Sequence, residues 1–422
     1  MSALHQRPNR LAAVRGALTV IVTMSTVVAC TGGDDSDGAA ASTTVQNTTT
    51  TTIVRPNDGV LQLGIYLPRT GEGASLGEPM IAAVEAAVER INAAGGVLGR
   101  PVTVDDIVDE GAGTGPDELL AAGVDAIIGP ASSRAALAQL GNMVHPSTGV
   151  VTCSPTATAM LLDNYPDNGF FFRTAPSDSL QMTAIARRVE DTGETSIAVG
   201  YLDDPYGRGL AEGFTAEATR RGLVLLAEVG FSSDQEDLSD VAAQLLTGSP
   251  GVIVVLGDAD DGSRLLAALD GATTTGLRRV IVNDAIRNAR QNIQSLSSGF
   301  RDRLIGIAPR AHAVAPDGPD GFFTAHAFDC VNLIALATIV AGSDAPNHIK
   351  AKMGEVASGG RVCSSFEACV SLLDQNLQID YNGASGSVDL SNSAGDPSRA
   401  WFESFGFDAD GIEIESQSFE VP

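Results

Sequence analysis

The chain has 422 residues, more than a single core of about 100 to 200 residues takes up, so two packed units with extensions are expected. Hydrophobic residues make up 44% and charged residues 18%, with 46 Gly, which suits an Ala/Gly-rich globular α/β chain and excludes wholesale disorder. The 26 basic and 52 acidic residues give a formal charge of -26, which repels phosphate backbones and anionic lipid, so nucleic acid is not an expected partner.

Arg7, Arg10 and Arg15 precede the apolar stretch Leu18 to Ala29. This is too short to span about 30 Å of hydrocarbon, and residues 1–29 read as a signal peptide. The stretch ends Val27-Val28-Ala29-Cys30, which resembles the lipobox of bacterial lipoproteins. That resemblance implies that Cys30 carries a lipid and holds the protein on the outer face of a membrane; a short anchor with an incidental cysteine is the alternative. Residues 30–59 pass from an Asp/Gly-rich segment to a Thr-rich run, Ser42 to Thr52. They can bury too little apolar surface to fold and are expected to be a flexible tether. No second apolar stretch of about 18 residues is expected downstream, so the folded part reads as soluble.

With Cys30 set aside, Cys153, Cys330, Cys363 and Cys369 form an even set in an exported chain. Cys363 and Cys369 are close enough to close a small loop, and a disulfide is expected there. Cys153 and Cys330 either pair or remain two buried thiols.

From residue 60 short apolar runs alternate with amphipathic stretches. Leu61 to Leu67 reads as a strand, and Met80, Ile81, Val84, Val88 and Ile91 recur at helical spacing within Pro79 to Ala94, ended by Gly95-Gly96. Strands follow at Val102 to Val108, Ala126 to Ile128 and Val150 to Cys153, with helices at Glu118 to Ala122 and Ala135 to Met143. This is a βα repeat with buried parallel strands. After Phe171-Phe172-Arg173-Thr174-Ala175-Pro176 the rhythm restarts. Helices are expected at Ser179 to Glu190, Gly209 to Arg221, Leu238 to Leu246 and Ser263 to Leu269. Strands are expected at Ser196 to Tyr201, Val224 to Val229, Gly251 to Leu256 and Val280 to Asn283. Leu304 to Ala308 reads as a return segment, Thr324 to Val340 as a long apolar helix and Ile379 to Leu390 as a final extended region.

Little of the chain points to catalysis. The stretch Gly71 to Gly77 opens a helix after a strand, but Gly73 and Gly77 stand four apart where a dinucleotide fingerprint needs three. There is no H-E-x-x-H, C-x-x-C or G-x-x-x-x-G-K-[ST]. His145, His312, His326 and His348 show no i, i+4 pairing that a metal would use. No enzyme activity, metal or cofactor is expected.

Several segments together resemble one family. These are Leu63-Gly64-Ile65-Tyr66-Leu67-Pro68, Ile91-Asn92-Ala93-Ala94-Gly95-Gly96-Val97-Leu98-Gly99-Arg100, Ile127-Ile128-Gly129-Pro130-Ala131-Ser132-Ser133, Ser154-Pro155-Thr156-Ala157-Thr158, Asp204-Pro205-Tyr206-Gly207-Arg208-Gly209 and Asp380-Tyr381-Asn382-Gly383-Ala384-Ser385-Gly386. In this order they resemble the branched-chain amino-acid (Leu/Ile/Val)-binding proteins of ABC transporters. The resemblance covers nearly everything from Val60 onward. It implies an α/β type I periplasmic-binding fold: two doubly wound Rossmann-like lobes joined by three crossovers near 174–178, 308–312 and 377–383. Residues 60–175 and 309–378 would form lobe 1, and 176–308 and 379–422 lobe 2.

It also implies a site between the lobes for an amino acid or similar small polar solute. In the family a serine after the third strand and a threonine after the fourth hold the solute carboxylate; here these match Ser133 and Thr158, with the main chain of Thr156 and Ala157 alongside. Hydroxyls and free N–H groups at helix starts are suited to an anion, although Ser and Thr are also favoured there simply as helix caps. Tyr206 matches a family aromatic, and Asp284 matches the acidic partner of the ammonium, with an exposed Asn-Asp turn as the alternative. Gly257-Asp258-Ala259-Asp260-Asp261-Gly262 departs from the family pattern, which has an aromatic near Asp258. Implied partners are ABC permease subunits and the membrane through the lipid, with the protein acting as a monomer. A receptor for a signalling partner would look the same from sequence.

Overall fold

The structure, a computed structural model, describes residues 57–422 apart from 72, 275, 314–317, 391–394 and 409. The expected signal peptide, Cys30 and all but the last residues of the tether lie outside the described residues.

Five strands build the first sheet: β1 (Gln62–Leu67), β2 (Thr103–Asp109), β3 (Ala126–Ile128), β4 (Val151–Ser154) and β5 (Phe171–Arg173). They pair in parallel in the order β2-β1-β3-β4-β5. Every residue of β3 and β4 is buried, as a parallel sheet covered on both faces requires. The helices α1 (Ala74–Ala93), α2 (Asp117–Ala122) and α3 (Ser133–Met143) return the chain between strands. α1 buries Met80, Ile81, Val84, Val88 and Ile91, the stripe its spacing predicts, but begins at Ala74 with Pro79 inside it.

The chain then crosses to a second sheet through α4 (Asp178–Asp191). That sheet holds β6 (Ser196–Leu202), β7 (Val224–Phe231), β8 (Val252–Leu256), β9 (Arg279–Val282) and β10 (Leu304–Pro309). Helices α5 (Pro205–Arg220), α6 (Ser239–Leu245), α7 (Ala259–Asp270), α8 (Arg290–Ser295) and α9 (Ser298–Arg301) accompany it. Alternate residues of β8 enter opposite cores, Ile253 and Val255 on one face and Val252, Val254 and Leu256 on the other. The period of two in a strand becomes, in a doubly wound sheet, two apolar layers.

After β10 the chain returns to the first lobe as α10 (Thr324–Ala341), α11 (Pro346–Val356), β11 (Arg361–Cys363), α12 (Phe366–Leu373), β12 (Ile379–Gly383) and β13 (Gly386–Ser387). α10 corrects one expectation. Its 18 residues are long and apolar enough to cross a membrane by composition, yet 83% of that stretch is buried, and the helix packs against α1, α11 and α12 as a core element. A third crossover leads to β14 (Ala400–Phe407) and β15 (Glu413–Val421), which complete the second sheet in the order β15-β14-β10-β9-β8-β6-β7.

The family resemblance groups residues 379–422 with the second lobe; packing divides them. Ile379, Tyr381, Val388 and Leu390 lie in the first apolar cluster, and only from Ala400 does the chain pair with the second sheet. The chain is therefore still in the first cluster at Leu390 and has joined the second sheet by Ala400, later than the expected crossover at 377–383. An alternating apolar pattern says that one face of a strand is buried, but not in which core. Disulfides join Cys153 to Cys330, linking β4 to α10, and Cys363 to Cys369.

Candidate functional site

β3 and β4 end side by side, and the loops that follow them are bonded into one ledge. Gly129, just after β3, has φ +118°, and a Cβ there would stand 1.9 Å from the Tyr66 carbonyl oxygen, so only glycine fits. Beyond it, the buried Glu110 carboxylate accepts from Ala131 N at 2.6 Å and from Ser132 N at 2.9 Å. Ser132 is the N-cap of α3, its Oγ accepting from Ala135 N at 3.1 Å.

Ser133 stands one position further, so capping is not its role. Its Oγ accepts from Thr158 N and Ala159 N, both at 3.1 Å, which pins the loop after β3 to the loop after β4. Thr156 Oγ1 donates to Ala131 O at 2.6 Å, and Ala157 N donates to Ser154 Oγ at 2.9 Å. Ser133, Thr156, Ala157 and Thr158 are thus in one contiguous web. The Thr156 hydroxyl and the Ala157 N–H are engaged within it, the Thr158 hydroxyl bonds the Asp178 carboxylate, and the Ser133 hydroxyl, which accepts two N–H groups, keeps its own proton to donate.

The opposite wall carries acceptors. Asp178 opens α4, 3% exposed, its N–H donating to Thr158 O at 2.8 Å and its carboxylate bonded by the Thr158 hydroxyl. Asp178 Oδ2 has no hydrogen-bond partner. One turn on, Gln181, 1% exposed, donates Nε2 to Asp284 Oδ1 and to Ile307 O, each at 2.9 Å, and leaves its own Oε1 unpaired. Asp284 follows β9. The preceding Asn283 exchanges two hydrogen bonds with the Gly257 main chain, at 3.2 and 3.0 Å, and donates to the Tyr206 hydroxyl at 3.2 Å.

Electrostatics set this wall apart. Burial, then the neighbouring Asp284 charge, pushes Asp178 up to about 7; burial likewise raises Asp284. Burial and these two carboxylates hold the Tyr206 hydroxyl well above its ordinary range. Two carboxylates that destabilise each other's charge, beside an unpaired amide oxygen, form a place where a cation relieves both.

The structure brings together Ser133, Thr156, Ala157, Thr158, Tyr206 and Asp284. It does not bring in Asp258, which is exposed and caps α7 by accepting from Asp261 N at 2.8 Å. The first acceptor in a Gly-Asp-x-x-Asp stretch is the ordinary helix-cap position, and the cap is what this aspartate does. Asp178 and Gln181 are the residues that sequence reasoning misses. Their signal was an acid at a helix start with an amide three positions on, hence on the same face.

A two-lobed α/β protein, with three crossovers and a polar site built from loops at strand carboxyl ends of both lobes, has the type I periplasmic-binding fold. The family described as periplasmic binding protein matches residues 60–321, and the chain belongs to it. It is 26% identical over 346 residues to the chemotactic signal transduction system substrate-binding protein BasB of Halobacterium salinarum, covering 78% of this chain and 83% of the relative. To the Leu/Ile/Val-binding protein homolog 1 of Brucella abortus it is 26% identical over 323 residues, 69% of this chain and 82% of the other. Among solved structures, the branched-chain amino acid transporter substrate-binding protein of Streptococcus pneumoniae in complex with isoleucine aligns with a TM-score of 0.59 at 18% identity, covering 86% of this chain and 99% of that one.

Proposed function

We propose that this protein captures an amino acid between its lobes and delivers it to an ABC permease, as a monomer held to the outer face of the membrane by a lipid on Cys30. The observation that carries the solute reading is the meeting of two complementary sets: the hydroxyls of Ser133 and Thr158 at the start of α3 and its neighbouring loop, and, bonded next to Thr158, Asp178 and Gln181, each with an unpaired oxygen, beside Asp284. A carboxylate is suited to the first and an ammonium to the second. Tyr206 would form part of the pocket around the solute side chain. The Leu/Ile/Val-binding names of relatives support the same class.

A thermal-shift panel of the twenty standard amino acids on the soluble part tests it. A solute that binds only the folded state adds about 2.7 kcal/mol at a hundredfold excess over Kd, so at least one amino acid should shift the melting point. No shift from any of them would end the amino-acid reading. The second reading, a receptor that reports occupancy to a signalling partner, is favoured by the name of the halobacterial relative. Genes for a permease and an ATPase beside this one would support import. For the anchor, Cys30→Ser should release unlipidated protein, and unchanged membrane retention without acyl label on the wild type would contradict it.

A further inference from the structure

Arg173 ends β5 with a side chain that is 0% exposed. Its main-chain N–H donates to Gly395 O at 3.0 Å, and its Nε to Asp396 Oδ1 at 2.6 Å, both in the third crossover. One terminal nitrogen donates to Asp163 Oδ1 at 2.6 Å; the other donates to Ala159 O at 3.2 Å and to Ala157 O at 3.4 Å. Asp163 Oδ1 also accepts from Ser177 Oγ at 2.6 Å, and Ser177 is the N-cap of α4, the helix that carries Asp178 and Gln181. Stability does not account for this arrangement, because a buried ion pair is no better for folding than apolar packing of similar size. What a guanidinium adds is direction: a rigid planar fork fixes several acceptors at set angles at once.

We propose that Arg173 is a positioning residue for solute capture, binding the Ala157 to Ala159 loop, the first crossover through Asp163 and Ser177, and the third crossover through Asp396 into one unit. The proposal rests on the solute site described above, but its first test needs no solute. A contact at the loop would reach the start of α4 through two shared atoms, Arg173's fork and Asp163 Oδ1, so the two walls would be aligned before closure. Arg173→Lys keeps the charge and removes the fork. Ser177→Ala removes the link to Asp163 together with the cap hydrogen bond from Ser179 N at 3.1 Å, and leaves both ion pairs in place.

Hydrogen exchange of the solute-free protein decides the question. Arg173→Lys should speed exchange about tenfold or more in residues 157–163, 177–181 and 395–398 together, while β1 and β8 keep their wild-type rates. Ser177→Ala should speed 177–181 and 157–163 and leave 395–398 unchanged. Acceleration confined to one segment, or spread evenly over both sheets, would overturn the proposal. If Arg173→Lys does not fold, the Ser177→Ala response at 157–163 decides alone, because loss of the α4 cap by itself speeds only 177–181. With L-leucine as the probe, both variants should dissociate faster by about tenfold or more with little change in association rate. Failure of L-leucine to bind the wild type would count against the choice of solute, whereas the exchange pattern would still decide the role of Arg173.

Discussion

The two walls of the candidate site are built on opposite plans. On the first-lobe wall the side chains of Ser132, Ser133, Ser154 and Thr156 bond main-chain groups of neighbouring residues, and Ser132 N bonds Glu110, so the ledge is largely satisfied before any solute arrives. On the second-lobe wall Asp178 and Gln181 are buried yet keep an oxygen each without a partner, and Asp178 and Asp284 raise the cost of each other's charge. The contrast assigns different tasks to the lobes. One holds its shape by itself and presents hydroxyls; the other is left short of a positive charge, and a solute that brings one would complete it. Under the proposed function, closure of such a pair would be a population shift driven by the solute's differential affinity.

Removing the disulfide behind the first wall should have the largest effect. Cys153 immediately precedes Ser154, and its bond to Cys330 closes a loop with a sequence separation of 177, against 6 for Cys363 and Cys369. In the chain-entropy description the long loop is worth roughly 5 kcal/mol and the short one roughly 2 kcal/mol. Denaturant unfolding of Cys153→Ser/Cys330→Ser and of Cys363→Ser/Cys369→Ser should show that order, and the reverse order would mean the first wall does not depend on its staple. Non-reducing peptide mapping of exported protein should find both pairs linked.

The hydroxyls come next. Ser133→Ala with Thr158→Val should cost the solute on the order of a hundredfold in affinity, since each lost hydrogen bond to a charged group is worth roughly 1.5 to 3 kcal/mol. Calorimetry showing wild-type affinity in a folded double variant would remove the first wall from the site.

A smaller effect separates the walls by pH. Asp178 titrates at about 7 when folded against an ordinary 3.8, so between these values the folded chain binds more protons than the unfolded one. Its contribution is therefore fully favourable below about pH 4 and is lost as pH rises through 7. Asp178→Asn, which lacks this dependence, should melt higher than wild type at pH 8 and by less, or not at all, at pH 5. Melting points that differ equally at both pH values would show that Asp178 is not the strained group of the second wall.

How much of this was legible depended on period. β3 is as its apolar run predicts, and most strands and helices before β10 start and end within a few residues of their predicted bounds, because covered parallel strands are short unbroken apolar runs. β14 was illegible for a physical reason. Glu403 and Ser404 are buried in its middle, Glu403 held by Arg287 at 2.8 Å, so polar residues interrupt the apolar signal at the core. The site was half legible. Ser133 and Thr158 sit in motifs that resemble a family, whereas Asp178 and Gln181 look like an ordinary helix start until the crossover turns α4 toward β9 and β10.

The central claim is that one wall takes a carboxylate and the other an ammonium. Calorimetry with an amino acid returned by the thermal-shift panel, and with the same acid lacking its amine, on wild type and on Asp284→Asn, tests it most directly. The wild type should bind the amino acid on the order of tenfold or more tighter than the amine-free acid, and Asp284→Asn should shrink that gap by weakening only the amino acid. Equal affinity for both acids in the wild type, unchanged by Asp284→Asn, would contradict the account.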